Sequence, residues 1–285
     1  AVAYRMLGSL SDADDAVQDA WLRFSTTGAG DVENMRAWLT TIVARVSLNQ
    51  LRSRNARREE PYAGHLPDPV VSREDDLQPE QQVLLADSVG MALLVVLDSL
   101  TPDERLAFVL HDVFGLPFDD IATLLVRSPA AARQLASRGR RRARGAATPD
   151  PDMRRQRQVV DAFFQAARLG DFDALVTMLD PDVVLRSDFG VKRPPAPTVL
   201  RGAEAVAGSA LNGAALPSTQ LHPALVNGAA GVVVTARGRP FAIIGFTVAD
   251  GRIVEIDVVA GAKRVGRLAT AVLNDLSVHN RGHGA

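Results

Sequence analysis

The chain has no cysteine in its 285 residues, which excludes disulfides, thiolate metal sites and thiol nucleophiles together. Aromatic residues make up only 5% of it, and only two of its 32 basic residues are lysines, Lys192 and Lys263. No apolar run approaches the ~18–20 residues of a membrane span; the longest, Met91 to Leu97, is far too short. Nothing at the N-terminus reads as a signal peptide, so a cytoplasmic protein with no membrane partner is the expectation. There is no P-loop, no Gly-x-Gly-x-x-Gly fingerprint and no metalloprotease motif. His279 and His283 stand four apart in a Gly-rich tail, a poor setting for a metal. No metal and no cofactor are expected.

What is present is an ordinary globular composition, 47% hydrophobic and 23% charged, long enough for two domains. The net charge of −1 hides strong clustering. From Arg36 to Arg58 there are six arginines and no acid, and from Arg127 to Arg144 seven arginines and no acid. Between these basic stripes, Glu59 to Glu80 holds seven acids against one arginine, with prolines at 61, 67, 69 and 79. That composition predicts a linker.

Residues 1–58 read as helical. Ser11 precedes an acidic first turn of Asp12, Asp14 and Asp15, and Val17, Trp21, Leu22 and Phe24 follow at helical spacing. A second helix is expected from about Asn34 to Arg57, with Trp38, Leu39, Ile42, Val43, Val46 and Leu51 as its apolar stripe. Beyond the linker, Gln81 to Leu100 is expected to be an apolar-rich helix, and Thr101-Pro102-Asp103-Glu104 supplies a capping box with Pro at the first helical position. Helices are expected over Pro102–Asp112 and Phe118–Leu125, and Ser128-Pro129 caps a third reaching about Arg144. The last two, with a tight turn between them, match a helix-turn-helix. Ala132 and Gly139 are small for its second helix and predict weak packing there.

At Pro149–Pro151 a hinge is expected, and the pattern changes class. Helices over Met153–Arg168 and Phe172–Leu179 precede strand-like runs at 183–186, 221–226, 231–237, 240–248 and 252–259, with Asp250-Gly251 as a hairpin turn. Helices followed by an antiparallel meander predict an α+β domain.

Three segments carry a family resemblance. Ser11 to Arg23 and Arg36 to Arg52 resemble region 2, and Leu100 to Arg144 resembles region 4, of sigma-70 transcription initiation factors in the extracytoplasmic-function (ECF) class. The resemblance places Ala1 inside the first helix of region 2, with a short piece before it. The last 135 or so residues resemble the SnoaL-like cone, as in the ECF subgroup that carries such an extension. His65-Leu66-Pro67-Asp68-Pro69 resembles that subgroup's Trp-Leu-Pro-Glu-Pro linker motif, Asp188-Phe189-Gly190-Val191-Lys192 its Asp-Gly-Gly-Gly-Lys, and Asn227-Gly228-Ala229-Ala230-Gly231 an Asn-Gly-x-x-Gly turn. The expected architecture is therefore multidomain: region 2 (1–58), linker (59–80), region 4 (81–147), a SnoaL-like α+β domain (152–276) and a tail (277–285).

The resemblance implies an RNA polymerase sigma factor whose partners are core polymerase, through its β′ and β subunits, and promoter DNA. Asp15, Gln18 and Asp19 would meet the β′ clamp helices. Arg45, Arg52, Arg54, Arg57 and Arg58 would hold phosphates at the −10 element, and the loop between Thr26 and Met35 would read a flipped base. Trp38, on the apolar stripe, reads as core. Arg133, Gln134, Ser137 and Arg138 are the base-edge candidates at −35, with Arg141 and Arg142 on phosphates. His65, Leu66, Pro67, Asp68, Pro69, Asp188, Gly190, Lys192, Asn227 and Gly228 are the expected regulatory set, in place of a separate anti-sigma factor. A small apolar ligand could occupy the cone. No catalytic residue is expected, because fold does not imply function and His222 is the only histidine in the cone's body. Two alternatives stay open. A ketosteroid-isomerase-like enzyme fused to a DNA-binding module predicts a polar pair inside the cone. A one-component ligand sensor predicts DNA binding without polymerase.

Overall fold

A computed structural model describes residues 1–27, 35–56, 65–74, 90–143, 147, 149–190 and 199–279. It divides into two compact units, one of residues 1–60 with 93–146, the other of 61–92 with 147–285. The loop expected to read a flipped base, residues 81–89 of the helix expected over Gln81–Leu100, Arg57, Arg58 and Lys192 lie outside the described residues.

The first unit is helical: α1 (Val2–Leu7), α2 (Leu10–Thr27), α3 (Met35–Ala56), α4 (Met91–Asp98), whose first two residues belong to the other unit, α5 (Pro102–Phe108), a π-helical turn (Val109–Val113), α6 (Phe118–Leu125) and α7 (Pro129–Ala143). Gly8 ends α1 in the left-handed conformation. Ser9 rather than Ser11 opens α2, its Oγ accepting from Asp12 N at 3.3 Å. The expected apolar stripe of α2 is displaced, while that of α3 is partly met, with Val46 buried and Trp38, Leu39, Ile42, Val43 and Leu51 half-buried. Alanines are buried on α2 (Ala13, Ala16, Ala20) and Ala44, Val46, Ser47 and Leu48 on α3. Val17, Trp21 and Leu22 stand 51–60% exposed. On α2 the small side chains take the buried positions, so its large ones are left outside. Trp38 is half-buried, its ring edge-on to Phe24 at 5.3 Å.

The Thr101–Glu104 capping box forms in both directions. Val126 (φ 55°) ends α6 in the left-handed region, and Ser128 Oγ accepts from Ala131 N to start α7. The predicted weak packing of α7 is not found. Ala132, Ala136 and Gly139 are fully buried, and a Cβ on Gly139 would lie 2.8 Å from Phe108 Cβ. The small residues are what let α7 seat against α5.

The second unit contains α8 (Met153–Leu169), α9 (Phe172–Met178), α10 (Ala203–Ala214), α11 (Ala262–Leu268), α12 (Thr270–His279) and strands β1 (Val71–Ser72), β2 (Leu179–Asp188), β3 (Val199–Arg201), β4 (Thr219–Val226), β5 (Ala229–Ala236), β6 (Arg239–Ala249) and β7 (Arg252–Ala260). The sheet order is β1-β4-β5-β6-β7-β2-β3. The meander β4 to β7 is antiparallel as expected, but β2 pairs parallel with β7, so the sheet is mixed. Three two-residue turns join the meander, Asn227-Gly228, Arg237-Gly238 and Asp250-Gly251, all at positive φ. Helices α8 to α10 cover one sheet face, where Phe163, Phe164 and Phe246 meet edge-on at 5.6–5.8 Å. The expected hinge is fastened down: Asp150 N donates to Val248 O, and its carboxylate accepts from the amides of Asp250 and Gly251.

Candidate functional site

Four groups of the expected residues can be placed, two of them in part. On α2, Asp15, Gln18 and Asp19 are all exposed, and their i, i+3, i+4 spacing puts them on one face. On α7, Arg133, Gln134, Ser137, Arg138, Arg141 and Arg142 are exposed, whereas Ala132, Ala136 and Gly139 are buried. Arg133 lies over the Phe118 ring at 5.5 Å, which ties this exposed face to α6. Arg142 Nη1 donates to Ser99 O and Glu104 Oε2, and Arg140 pairs with Asp112.

The arginines of α3 are engaged differently. Arg45 is exposed. Arg54 pairs with Asp12 at 2.8 Å. Arg52 donates from Nε (3.1 Å) and Nη2 (2.8 Å) to Asp103 Oδ1 in α5. A second tie is buried: Arg105, 3% exposed, donates to Met6 O, Leu97 O and Asp98 Oδ1 at 2.6–2.7 Å. Burial lowers the pKa of its guanidinium and Asp98 opposes that shift. In this conformation three of the arginines expected on phosphates, Arg52, Arg54 and Arg142, are already paired with acids of the same unit.

The fourth group comes together as a clasp. The linker segment from His65 to Glu74 packs on the C-terminal sheet within one compact unit. β1 pairs antiparallel with β4 at the sheet edge (Val71 with Val226, Ser72 with Leu225). Val70 N donates to Asn227 Oδ1 at 2.7 Å, and Asn227 N donates back to Val70 O at 2.8 Å. Asn227, at φ 50°, can do this because asparagine tolerates the left-handed region that Gly228 continues. Asp188, 1% exposed, accepts from Leu66 N (3.0 Å), Gly190 N (2.9 Å), His65 Nδ1 (3.1 Å) and Arg264 Nη1 (2.5 Å). Burial alone would raise its carboxyl pKa; these four donors outweigh it and hold Asp188 well below the usual carboxylate range.

Arg264 is the residue that sequence reasoning missed. From α11 its Nε donates to Asp68 Oδ1 (2.8 Å), its Nη1 to Asp188 and its Nη2 to Leu66 O (2.5 Å). One planar guanidinium so reads the linker's backbone, the linker's acid and the cone's acid together. Arg267 adds a longer contact to Asp68 at 3.4 Å. At the far end, Arg157 bridges Ala224 O and Gly231 O and pairs with Glu74. No local pattern marks Arg264 or Arg157, since their partners are up to 198 residues away. Leu66, Pro67, Asp68 and Pro69 are buried while His65 is exposed.

The polar pair that an enzyme would need inside the cone is elsewhere. Arg186 bonds Glu255 (2.8 Å) and Asp257 (3.0 Å). Strand alternation puts these three on the face opposite Leu185 and Ile256, which belong to the apolar core under α8 to α10. Burial raises Asp257 to a pKa of about 6 against the pull of Arg186, whose own pKa is raised because its two acids outweigh its burial. His222 sits on that same face and bonds Thr235 Oγ1. Among the described residues, no group of three or more His, Cys, Asp or Glu is arranged to hold a metal ion. No helix described is long and apolar enough to cross a membrane.

The family model of sigma-70 region 2 matches residues 1–57, and that of sigma-70 region 4 matches residues 90–142. The ECF RNA polymerase sigma factor SigJ of Mycobacterium tuberculosis H37Rv is 42% identical over 210 residues, 72% of this chain and 66% of SigJ. The probable ECF sigma factor SigI of M. tuberculosis CDC 1551 is 36% identical over 265 residues, 90% of this chain and 87% of SigI. The crystal structure of M. tuberculosis SigJ superimposes with a TM-score of 0.75 at 35% identity, covering 94% of each chain.

Proposed function

The chain belongs to the ECF RNA polymerase sigma factors of the sigma-70 family, and from that premise we propose that its SnoaL-like domain sets initiation activity through the linker clasp. As a sigma factor it directs core RNA polymerase to promoters. Its domains are assigned as region 2 (1–58), linker (59–80), region 4 (81–147) and regulatory cone (152–276). Asp15, Gln18 and Asp19 meet core polymerase. Arg45, Arg52 and Arg54, with Arg57 and Arg58, hold the −10 phosphates. Arg133, Gln134, Ser137 and Arg138 read −35 base edges, and Arg141 and Arg142 hold phosphates beside them.

The observation that carries the regulatory reading is the Arg264 node. The two promoter elements are separated by about two turns of DNA at ~34–36 Å per turn, so whatever holds the chain joining regions 2 and 4 governs how they can be spaced. Arg264 holds that chain at Leu66 and Asp68. A sigma factor built this way carries its control in cis and requires no separate anti-sigma factor. It has no reaction of its own, a reading favoured by an interior filled with Phe163, Phe164 and Phe246. The same filling argues for a lever between protein segments over a sensor of small apolar ligands.

The test is promoter-dependent transcription with purified core polymerase, comparing the full chain, Arg264→Gln and a chain ending at Asp150. All three should bind core polymerase, and transcript yield should change several-fold once the clasp is removed. Equal yields from all three would overturn the regulatory reading. Failure of all three to bind core polymerase would overturn the assigned polymerase-binding residues.

A further inference from the structure

We propose that the β5–β6 hairpin and α11 form a second, sequence-blind DNA surface on the SnoaL-like domain, binding duplex phosphates beyond those held by regions 2 and 4. Residues 229–249 and 258–274 contain five basic residues, Arg237, Arg239, Lys263, Arg264 and Arg267, and no acid. The fold brings the two segments together: α11 packs on β6, Gly261 N donates to Phe241 O, and Pro240 Cγ lies 3.8 Å from where a Cβ on Gly266 would be. Arg264 is spent on the clasp and Arg267 leans on Asp68. Arg237, Arg239 and Lys263 are exposed, and among the described residues none has an acid within 4 Å.

The turn itself gives an independent reason to see these charges as functional. Of the meander's three two-residue turns, two place Asn227 or Asp250 at the first left-handed position, the residue types that adopt it most readily. The third places Arg237 there at φ 52°, a conformation unfavourable for a long side chain. The hairpin would be better served by asparagine, so folding does not account for the arginine. A cluster of arginines and a lysine with no fixed hydrogen-bond geometry suits a phosphate backbone, not base edges. The partner is duplex DNA on charge complementarity and because the chain is a promoter-binding factor; the proposal rests on that reading.

The experiment uses the full chain, alone and with core polymerase, titrated by fluorescence anisotropy into promoter and scrambled duplexes from 50 to 300 mM salt. The variants are Arg237→Asn and the triple Arg237→Asn/Arg239→Gln/Lys263→Gln. Arg237→Asn should raise the melting temperature by about 1–3 °C while weakening DNA binding, a combination that damaged folding cannot produce. The triple variant should flatten the slope of log K against log salt by up to about 2.7, ~0.9 for each phosphate left without its cation. The weakening should be equal on promoter and scrambled DNA. Unchanged slopes would overturn the proposal, as would loss of binding to phosphatidylglycerol vesicles with DNA binding intact. If the triple variant behaves as expected but no form binds core polymerase, the DNA surface stands and the polymerase assignment falls.

Discussion

Replacing Asp103 with asparagine should strengthen binding to DNA although Asp103 is not among the DNA-contacting residues. Asp103 Oδ1 accepts both Arg52 Nε and Nη2, and the two side chains are 42% and 23% exposed. A pair that open to water contributes ~0.2–1 kcal/mol, well short of the several kcal/mol of a buried pair. Releasing Arg52 should therefore raise its availability to phosphate by about 1.4- to 5-fold, the same energy converted at RT of ~0.59 kcal/mol. Asparagine keeps a polar side chain in the first turn of α5, so the capping box formed by Thr101 and Glu104 is preserved. Anisotropy on −10 duplex should show this gain at 50 mM salt, shrinking toward unity at 300 mM as the internal pair is screened. The control is Arg52→Gln/Asp103→Asn. If the gain persists in the double variant, the acid was merely repelling DNA and the masking of Arg52 is refuted; a single variant with unchanged affinity refutes it too.

Three more outcomes are expected. Gly139→Ala gains about 1 kcal/mol of helix propensity but puts a Cβ 2.8 Å from Phe108 Cβ and 3.3 Å from Glu104 O. Overpacking there costs ~1–3 kcal/mol, so urea unfolding should show a net loss of up to ~2 kcal/mol, and a stabilised variant would contradict the close helix approach. Asp68→Ala removes charge-assisted hydrogen bonds worth ~1.5–3 kcal/mol. Hydrogen exchange at the Leu66 and Val70 amides, which donate to Asp188 and Asn227, should accelerate by about 10- to 150-fold. Asp257, raised to about 6, binds its proton more tightly folded than unfolded. Its contribution to stability is complete below the ordinary carboxylate pKa of ~3.9 and is lost as pH climbs to about 6. Asp257→Asn should flatten unfolding free energy against pH in that window, and an unchanged slope would show that Asp257 does not titrate there.

How much of this was legible in the sequence depends on how local each cause is. The Thr101 box, the Ser128-Pro129 start and the Asn227-Gly228 and Asp250-Gly251 turns are set within four residues, and each appears where its residues predict it. The buried face of α2 escapes such a reading because alanines, not Trp21 or Leu22, are buried on it. Hydrophobic periodicity weights large side chains, whereas close helix approach selects small ones. The parallel β2–β7 pairing and the strand in the linker depend on partners more than 60 and 150 residues distant, beyond any local rule. At the clasp the sequence supplied His65 to Pro69, Asp188, Gly190 and Asn227, and the structure brings them together. It did not supply Arg264, one arginine among thirty, whose role exists only when α11, β2 and the linker meet.

The two-residue strand β1 also governs what the C-terminal domain can be by itself. It occupies the outer edge of β4, where Val226 and Leu225 face Val71 and Ser72. Without the linker, that edge offers unpaired amides and carbonyls beside a run of apolar residues, a template for another chain's strand. A SnoaL-like domain cut away from its linker is thus prone to self-association, and the linker protects the solubility of the domain that holds it.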